Sequence, residues 1–265
     1  SKEARTRLIL SLSANLKVTG WLTLQARGNM DYSADKLRQK FYASTATALC
    51  GMNGRYIEMD YQETLMYGDV MAMAKKKLND FTLNIAIGGS INDKVVNSTR
   101  IDSKNASLKF ANVFNLANIV MSSSASIDQK IDAHYQLQSV FATAQAGYKE
   151  GAFLDLTARN DWSSTLAYTK YEKKGFFYPS IGVSFLPDKW VKMPEWVSFS
   201  KLRGAYSIVG NGVPPFITYP VSYVTAGGGM LASDAAPFAE MKPEMTHSVE
   251  LGMEWKFLQH RLGLN

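Results

Sequence analysis

Residues 245–257 decide the fold, and they read Met-Thr-His-Ser-Val-Glu-Leu-Gly-Met-Glu-Trp-Lys-Phe. The odd-numbered positions of this stretch are apolar except for His247, and the even-numbered positions are polar, charged or glycine. Successive side chains of a β-strand point to opposite faces of a sheet, so this period of two predicts a strand with one apolar face and one wet face.

The same period of two returns along most of the chain. It is clear in residues 8–16, 22–27, 81–87, 154–159 and 180–185, and it is noisier in residues 56–74 and 136–148. Counting these segments predicts about ten strands, the last of which starts at Arg261 and reaches Asn265. Because a closed barrel pairs every strand edge, a chain that stops within a strand predicts a piece of a larger barrel.

The connections between the predicted strands alternate in length. Short turns are expected near 17–20, 75–79, 148–151 and 258–260, a somewhat longer one at 187–197, and long polar stretches at 33–55, 91–135, 161–175 and 211–244. Outer-membrane barrels have tight periplasmic turns at one rim and large loops at the other. The sequence therefore predicts an all-β fold, an antiparallel up-and-down transmembrane β-barrel.

Composition narrows the class of protein further. The chain has 29 Lys and Arg against 23 Asp and Glu, but the basic residues are scattered and Lys75-Lys76-Lys77 is the only run, so no nucleic-acid partner is expected. No stretch reaches the roughly 18 consecutive apolar residues that a membrane-spanning helix requires. The single cysteine, Cys50, excludes a disulfide framework.

No set of residues with catalytic or metal-binding spacing is present. His134, His247 and His260 lie far apart, which argues against a metal site. The sequence also lacks a phosphate loop and the Gly-x-Ser-x-Gly elbow of hydrolases. We therefore expect no enzymatic activity, no metal and no cofactor.

Four motifs carry a family resemblance. They are Arg-Asn-Asp-Trp-Ser-Ser at 159–164, Gly-Phe-Phe-Tyr-Pro-Ser at 175–180, Lys-Leu-Arg-Gly-Ala-Tyr at 201–206 followed by Gly-Asn at 210–211, and Lys-Pro-Glu at 242–244 leading into Ser-Val-Glu-Leu-Gly at 248–252. In this order they resemble the barrel of SusC-like TonB-dependent outer-membrane transporters of Bacteroidetes. The wording agrees best over residues 138–265, whereas residues 1–137 agree in layout. Ala167-Tyr168 departs from the expected polar run, within a predicted loop.

The resemblance implies a plugged barrel of the roughly 22-stranded class, located in the cell outer membrane and surrounded by its lipid. Such a transporter imports oligosaccharides or peptides that it captures together with a SusD-like surface lipoprotein. Energy would come from the TonB-ExbB-ExbD complex through an N-terminal box beneath the plug. Residues 1–265 are thus expected to be a partial barrel domain without the plug or the TonB box, which alone transports nothing.

Substrate would be bound by outer loops and by lumen residues. Oligosaccharides stack on aromatic rings and form hydrogen bonds with charged and amide side chains. The candidates are Arg159, Asp161 and Trp162 at a predicted outer strand end, with Tyr219 and Tyr223 in the last long loop.

Two other classes of protein fit the same pattern of strands. A soluble β-sandwich, either an adhesin or a carbohydrate-binding module, would bury its apolar faces against a second sheet about 10 Å away. A passive porin would close its barrel without a plug. The alternation of short and long connections favours the transporter.

Overall fold

The structure, a computed structural model, describes residues 1–104, 108–120, 126–218, 222–224, 229–233 and 238–265. Most of this part of the chain lies in one antiparallel sheet of ten strands. In chain order the strands are β1 (Lys2–Lys17), β2 (Leu22–Phe41), β3 (Arg55–Leu78), β4 (Phe81–Asp102), β5 (Ser126–Tyr148), β6 (Ala152–Ser163), β7 (Phe176–Phe185), β8 (Val197–Asn211), β9 (Tyr223–Val224), β10 (Met230–Leu231), β11 (Glu244–Phe257) and β12 (Leu262–Leu264).

Each strand of the sheet pairs with its neighbours in the sequence. The order is β1 to β8, then β11 and β12, while β9 and β10 form a separate two-stranded ribbon inside the connection between β8 and β11. Within the described residues, the outer edges of β1 and β12 pair with nothing, so the sheet is open. The predicted all-β, antiparallel up-and-down fold with about ten strands is confirmed, as a part of a barrel wall.

The two faces of the sheet differ in chemistry. We call the side that carries the pairing row Leu24, Ala72, Ile87, Ala142 and Ala158 the apolar face, and the opposite side the polar face. Nothing in the described structure packs on the apolar face as a second sheet, because the only other sheet there is the small β9–β10 ribbon. Leu251 on this face is 86% exposed. The described residues thus lack the second layer that a soluble sandwich requires.

The strands extend further than predicted at their long-loop ends. The polar stretches at 33–55 and 91–135 were expected to be loops, but β2 continues to Phe41, β4 to Asp102, and β5 begins at Ser126. These strand ends carry polar side chains on both faces, so the period of two disappears from the sequence. Ion pairs between neighbouring strands accompany the pairing there, as between Arg5 and Asp35 at 2.6 Å.

Most buried hydrophobic side chains lie in or beside the long connections, whereas the middle of the sheet buries polar side chains such as Asp69 and Ser139. Tyr56, Leu108 and Ile119 form a buried cluster, and the ring of Phe114 packs against it and lies 5.1 Å from the ring of Tyr42. We call residues 42–54 and 108–120 together the outer cap.

Backbone groups of the outer cap are held by asparagine side chains. Asn53 donates from Nδ2 to the carbonyl oxygen of Leu108 at 2.7 Å, and Asn112 accepts from the backbone N–H of Ala43 at 2.8 Å. Asn118 is buried, and its Nδ2 donates to the carbonyl oxygens of Phe110 and Val113. These contacts join two connections that are far apart in sequence into one folded unit.

Helical structure in the described residues is limited to three 3₁₀ turns, Leu116–Asn118, Ser164–Leu166 and Pro187–Lys189. No helix there has the length and apolar character needed to cross a bilayer.

Candidate functional site: the polar face and its rims

The connections divide the sheet into two rims. At one rim the connections are 18–21, 79–80, 149–151 and 258–261, which have two to four residues, and the longer 186–196. At the other rim every connection is longer, and they include 42–54, 103–125, 164–175 and 212–243. We call these the short-turn rim and the long-loop rim. In outer-membrane barrels the short turns are periplasmic and the long loops are extracellular. This rule places the outer cap outside the cell.

Aromatic side chains line the sheet at the short-turn rim. The ring centroids of Phe81 and Tyr148 are 4.6 Å apart, and the ring of Trp190 lies 5.3 Å from Tyr148 and 6.0 Å from Phe185. Phe81, Tyr148 and Phe185 pair along one row of the apolar face through Ala152. Aromatic rings with an apolar body and a polar edge are favoured where hydrocarbon meets lipid headgroups. This belt marks the periplasmic boundary of the apolar face.

Arg159 is the centre of a hydrogen-bonded group on the polar face. Its Nε donates to Oδ1 of Asp161 at 2.7 Å, and its Nη2 donates to Oγ of Ser139 on the neighbouring strand at 2.7 Å. The Arg159 side chain is 39% exposed, against 16% for Asp161. The guanidinium is therefore fixed by two partners while part of it still faces the lumen, where it can donate to a ligand.

The predicted site residues do not all lie together. Arg159 and Asp161 share the polar face, but Trp162 lies on the apolar face, 37% exposed and paired with Gln138. Tyr219 lies outside the described residues. Tyr223 begins the β9–β10 ribbon opposite Leu231, and its side chain is outside the described part of the chain. The roles of all five residues remain predictions.

Most partners of the charges on the polar face were not predicted from the sequence. Arg27 contacts Asp69 at 2.9 Å, and the Asp69 side chain is fully buried. Lys94 pairs with Glu63 at 2.8 Å. Asp69 and Glu63 are both odd-numbered residues of segment 56–74. Because alternate residues of a strand share a face, their numbering could have placed both on the polar face. Ser139 gave no such signal.

A second group of charges lies at the long-loop rim, outside the membrane. Asp102 ends β4, and both of its oxygens accept from Arg55 at 2.8 Å, with Arg100 and the backbone N–H of Lys104 as further donors. Burial favours the neutral acid, but the hydrogen bonds from Arg55 and Lys104 and the two positive charges outweigh it and hold the pKa of Asp102 below its ordinary value. Arg55 also donates from Nη1 to the carbonyl oxygen of Leu49 at 3.1 Å, so this carboxylate holds the arginine that links β3 to the outer cap.

Metal binding has no support in the described part of the chain, which contains no group of three or more His, Cys, Asp or Glu side chains able to hold an ion. Asp93 lies in β4 beside Gln136, which donates to it at 3.2 Å. Nε2 of His134 lies 3.9 Å from the same carboxylate, so Asp93 is engaged by an amide and an imidazole side chain.

An open antiparallel sheet with one exposed apolar face, an aromatic belt at its short-turn rim and an ion-paired polar face is a section of an outer-membrane β-barrel wall. Over residues 1–265 the sequence matches the family described as TonB dependent receptor-like, beta-barrel, and the chain belongs to this family. It is therefore part of an outer-membrane protein of a receptor and transporter family. The resemblance inferred from the four motifs is confirmed at the level of this family.

Solved structures agree in fold. The chain superimposes on the RagAB peptide transporter with a TM-score of 0.82 and 18% identity, covering 98% of this chain and 29% of that one. The RagAB peptide importer in its open-open state gives a TM-score of 0.80 at 18% identity, also over 98% of this chain and 29% of that chain. The siderophore receptor PiuA from Acinetobacter baumannii gives 0.57 at 12% identity, covering 98% of this chain and 39% of that one. A search of the curated proteins gives no match.

Proposed function

We propose that residues 1–265 are a partial barrel domain of a SusC-like TonB-dependent importer, with the plug domain and the TonB box in other parts of the receptor. The domain supplies a section of the wall, part of the lumen lining and several extracellular loops. The observation that carries the proposal is the sheet with two different faces, one apolar and exposed, the other bearing ion pairs such as Arg27 with Asp69.

The substrate class in this proposal is an oligosaccharide or a peptide. Arg159 supports both, because a guanidinium donates to sugar hydroxyls and peptide carbonyls, and most strongly to carboxylates. Ser139 and Asp161 orient it from two strands, so little side-chain freedom is lost when a ligand binds. The RagAB structures, whose titles name a peptide transporter and a peptide importer, favour a peptide within this class.

The partners in this proposal are a SusD-like surface lipoprotein at the long-loop rim and the TonB-ExbB-ExbD complex acting from the periplasm. The folded outer cap supports the first, since it offers a preformed extracellular surface with exposed apolar side chains such as Met52 and Phe110.

Uptake by cells that carry the full-length receptor tests the proposal. Labelled peptides and labelled oligosaccharides are offered separately, and uptake is compared between the unaltered receptor and Arg159→Gln, which loses the charged fork. We expect transport of one of the two substrates to fall about tenfold, the loss of a charged hydrogen bond. Arg261→Gln, which removes the same charge at the short-turn rim, should leave uptake unchanged.

Two controls separate this proposal from the alternatives. Deleting the TonB function must abolish uptake, and uptake that continues without it indicates a passive porin. An antibody against residues 211–244 must detect a band heavier than 29.4 kDa in the outer-membrane fraction. A 29.4 kDa band in the soluble fraction would indicate a soluble module instead.

A further inference from the structure

Lys76 is a charged residue on the apolar face, close to the short-turn rim. It lies two residues before the end of β3 and pairs with Leu83, which in turn pairs with Ala146 on the same face. The row of Ala72, Ile87 and Ala142 and the short-turn rim bound one zone of the apolar face. In the described strands, Lys76 is the only charged residue in this zone. An unpaired charge on a lipid-facing surface is costly unless its ammonium reaches a polar layer.

The acidic residues near Lys76 already have other partners. Lys77 contacts Glu150 at 3.7 Å, and Lys149 contacts Asp80 at 3.9 Å. Within the described residues no ion pair includes Lys75 or Lys76. This part of the rim therefore has an excess of positive charge, concentrated in the one basic run of the sequence.

Aromatic side chains fix the depth of this run in the membrane. The backbone N–H of Lys75 donates to the carbonyl oxygen of Trp21 at 2.8 Å, and the Trp21 side chain is half exposed. The Phe81 and Tyr148 rings lie on the next row toward the rim, and Nζ of Lys149 is 5.4 Å from the Tyr148 centroid. Belt aromatics lie at the level of the headgroups. The aliphatic stem of Lys76 can thus stay on the apolar face while its ammonium reaches that level.

We propose that Lys76, the lysine of this run that lies on the apolar face, binds the phosphate of an anionic phospholipid in the periplasmic leaflet. The position of Lys76 on the lipid-facing side selects a membrane lipid over a soluble anion, and the belt above it places the phosphate within reach. The site acts on lipid association and on the seating of the barrel, and it is independent of the substrate that the receptor imports.

The test measures lipid retained by the full-length receptor. The receptor is reconstituted in bilayers of phosphatidylethanolamine with phosphatidylglycerol, extracted in mild detergent, and the retained ratio of the two lipids is read by native mass spectrometry. We expect Lys76→Gln to lower phosphatidylglycerol retention about fivefold, the contribution of one lysine near a membrane surface. Lys76→Arg should keep retention, and Lys173→Gln, on the loop at the long-loop rim, should not change it.

Every outcome decides the proposal. Heat-modifiable migration in gels reports folding, and if Lys76→Gln does not fold, retention by the unaltered receptor must fall as salt is raised. Unchanged retention in Lys76→Gln, an equal loss in Lys173→Gln, or displacement of the lipid by inorganic phosphate would each overturn it. Loss of substrate uptake with normal lipid retention would also overturn it and would indicate an acidic periplasmic protein as the partner.

Discussion

The outer ends of β1–β4 and the membrane-facing parts of the same strands are built by different rules. β3 has 24 residues and β4 has 22, whereas β7 has 10. A strand needs only about 9–11 residues to cross a bilayer, so the long strands continue well beyond it. In the membrane one face is apolar and the other polar, but outside it both faces carry paired charges. Each long strand therefore has one part in the membrane and one part in water. The charged part in water places the outer cap above the membrane.

The largest expected effect is at the buried charge beneath the outer cap. Asp102→Asn leaves Arg55 and Arg100 without their carboxylate. Removing one partner of a fully buried ion pair costs about 3–5 kcal/mol, and because the Arg55 side chain is 22% exposed we expect the lower end of that range. We expect the cap to open locally while the barrel stays folded. The backbone N–H of Tyr56 donates to Oγ of Ser103, and the backbone N–H of Ser103 donates to the carbonyl oxygen of Tyr56. Hydrogen exchange at these two amides measures this opening.

The matched control for this variant is Glu3→Gln, an exposed acid on the outer end of β1. It should leave exchange at the cap unchanged. Because hydrogen bonds from Arg55 and Lys104 lower the pKa of Asp102, the stabilisation is present above its ordinary pKa of 3.8 and is lost as pH falls through the lower folded value. Equal protection in Asp102→Asn and the unaltered receptor would contradict this account of the cap.

The rule of the membrane segment is tested on β11. Leu251→Arg places a charge on the apolar face in the middle of the strand, and such a charge costs about 2–4 kcal/mol when it lies at the bilayer midplane. Ser248→Arg places the same charge on the polar face and should cost little. Urea unfolding of the full-length receptor in vesicles compares the two. Equal losses would mean that the two faces are not in different solvents.

The membrane segments could be predicted from the sequence because only one face of the sheet contacts lipid. Apolar residues therefore recur at every second position of each strand. The same parity separates Trp162, an even position of β6, from Arg159 and Asp161. That separation was readable in the sequence, although the three residues were grouped by their closeness along the chain. The Arg-Asn-Asp-Trp order thus predicts a strand better than it predicts a site.

The outer cap could not be predicted from the pattern of residues. Leu108 and Ile119 lie in the connection between β4 and β5, which has no periodicity, and their burial depends on contacts with Tyr56 of β3. The outer strand ends were not predicted for a related reason. Arg38 and Glu58 lie on the same side of β2 and β3 that is apolar in the membrane, so they interrupt the alternating pattern. Only pairing in three dimensions shows that these charges satisfy each other.

A smaller effect is expected from the phenol of Tyr56, which is buried against the outer cap. Burial and its hydrogen bond to Glu58, at 2.6 Å, raise the pKa of Tyr56 to about 12. An unfolded cap would ionise this tyrosine from its ordinary pKa of 10, so the stabilisation is complete below pH 10 and is lost as pH rises through about 12.

Tyr56→Phe should remove this alkaline dependence of the cap. The ring-carbon resonance of labelled tyrosine in the receptor, assigned by its absence in the variant, follows the titration. A Tyr56 resonance that titrates at its ordinary pKa would contradict the buried position of the ring. The control is Tyr61→Phe, which removes a second tyrosine hydroxyl that donates to a glutamate, Glu63. It should leave the alkaline dependence of the cap unchanged.

The smallest effect is expected at an ion pair whose arginine side chain is largely exposed. Arg5 donates from two nitrogens to both oxygens of Asp35 at 2.6 Å, the same two-bond geometry as Arg55 with Asp102, but its side chain is 65% exposed. Water and salt screen such a pair, so Arg5→Gln should leave thermal stability unchanged at physiological salt. The unaltered receptor and the variant are compared at low and at physiological ionic strength. A loss as large as that of Asp102→Asn would show that another strand of the complete barrel covers β1, because only desolvation by a neighbour can give this pair the energetics of the buried one.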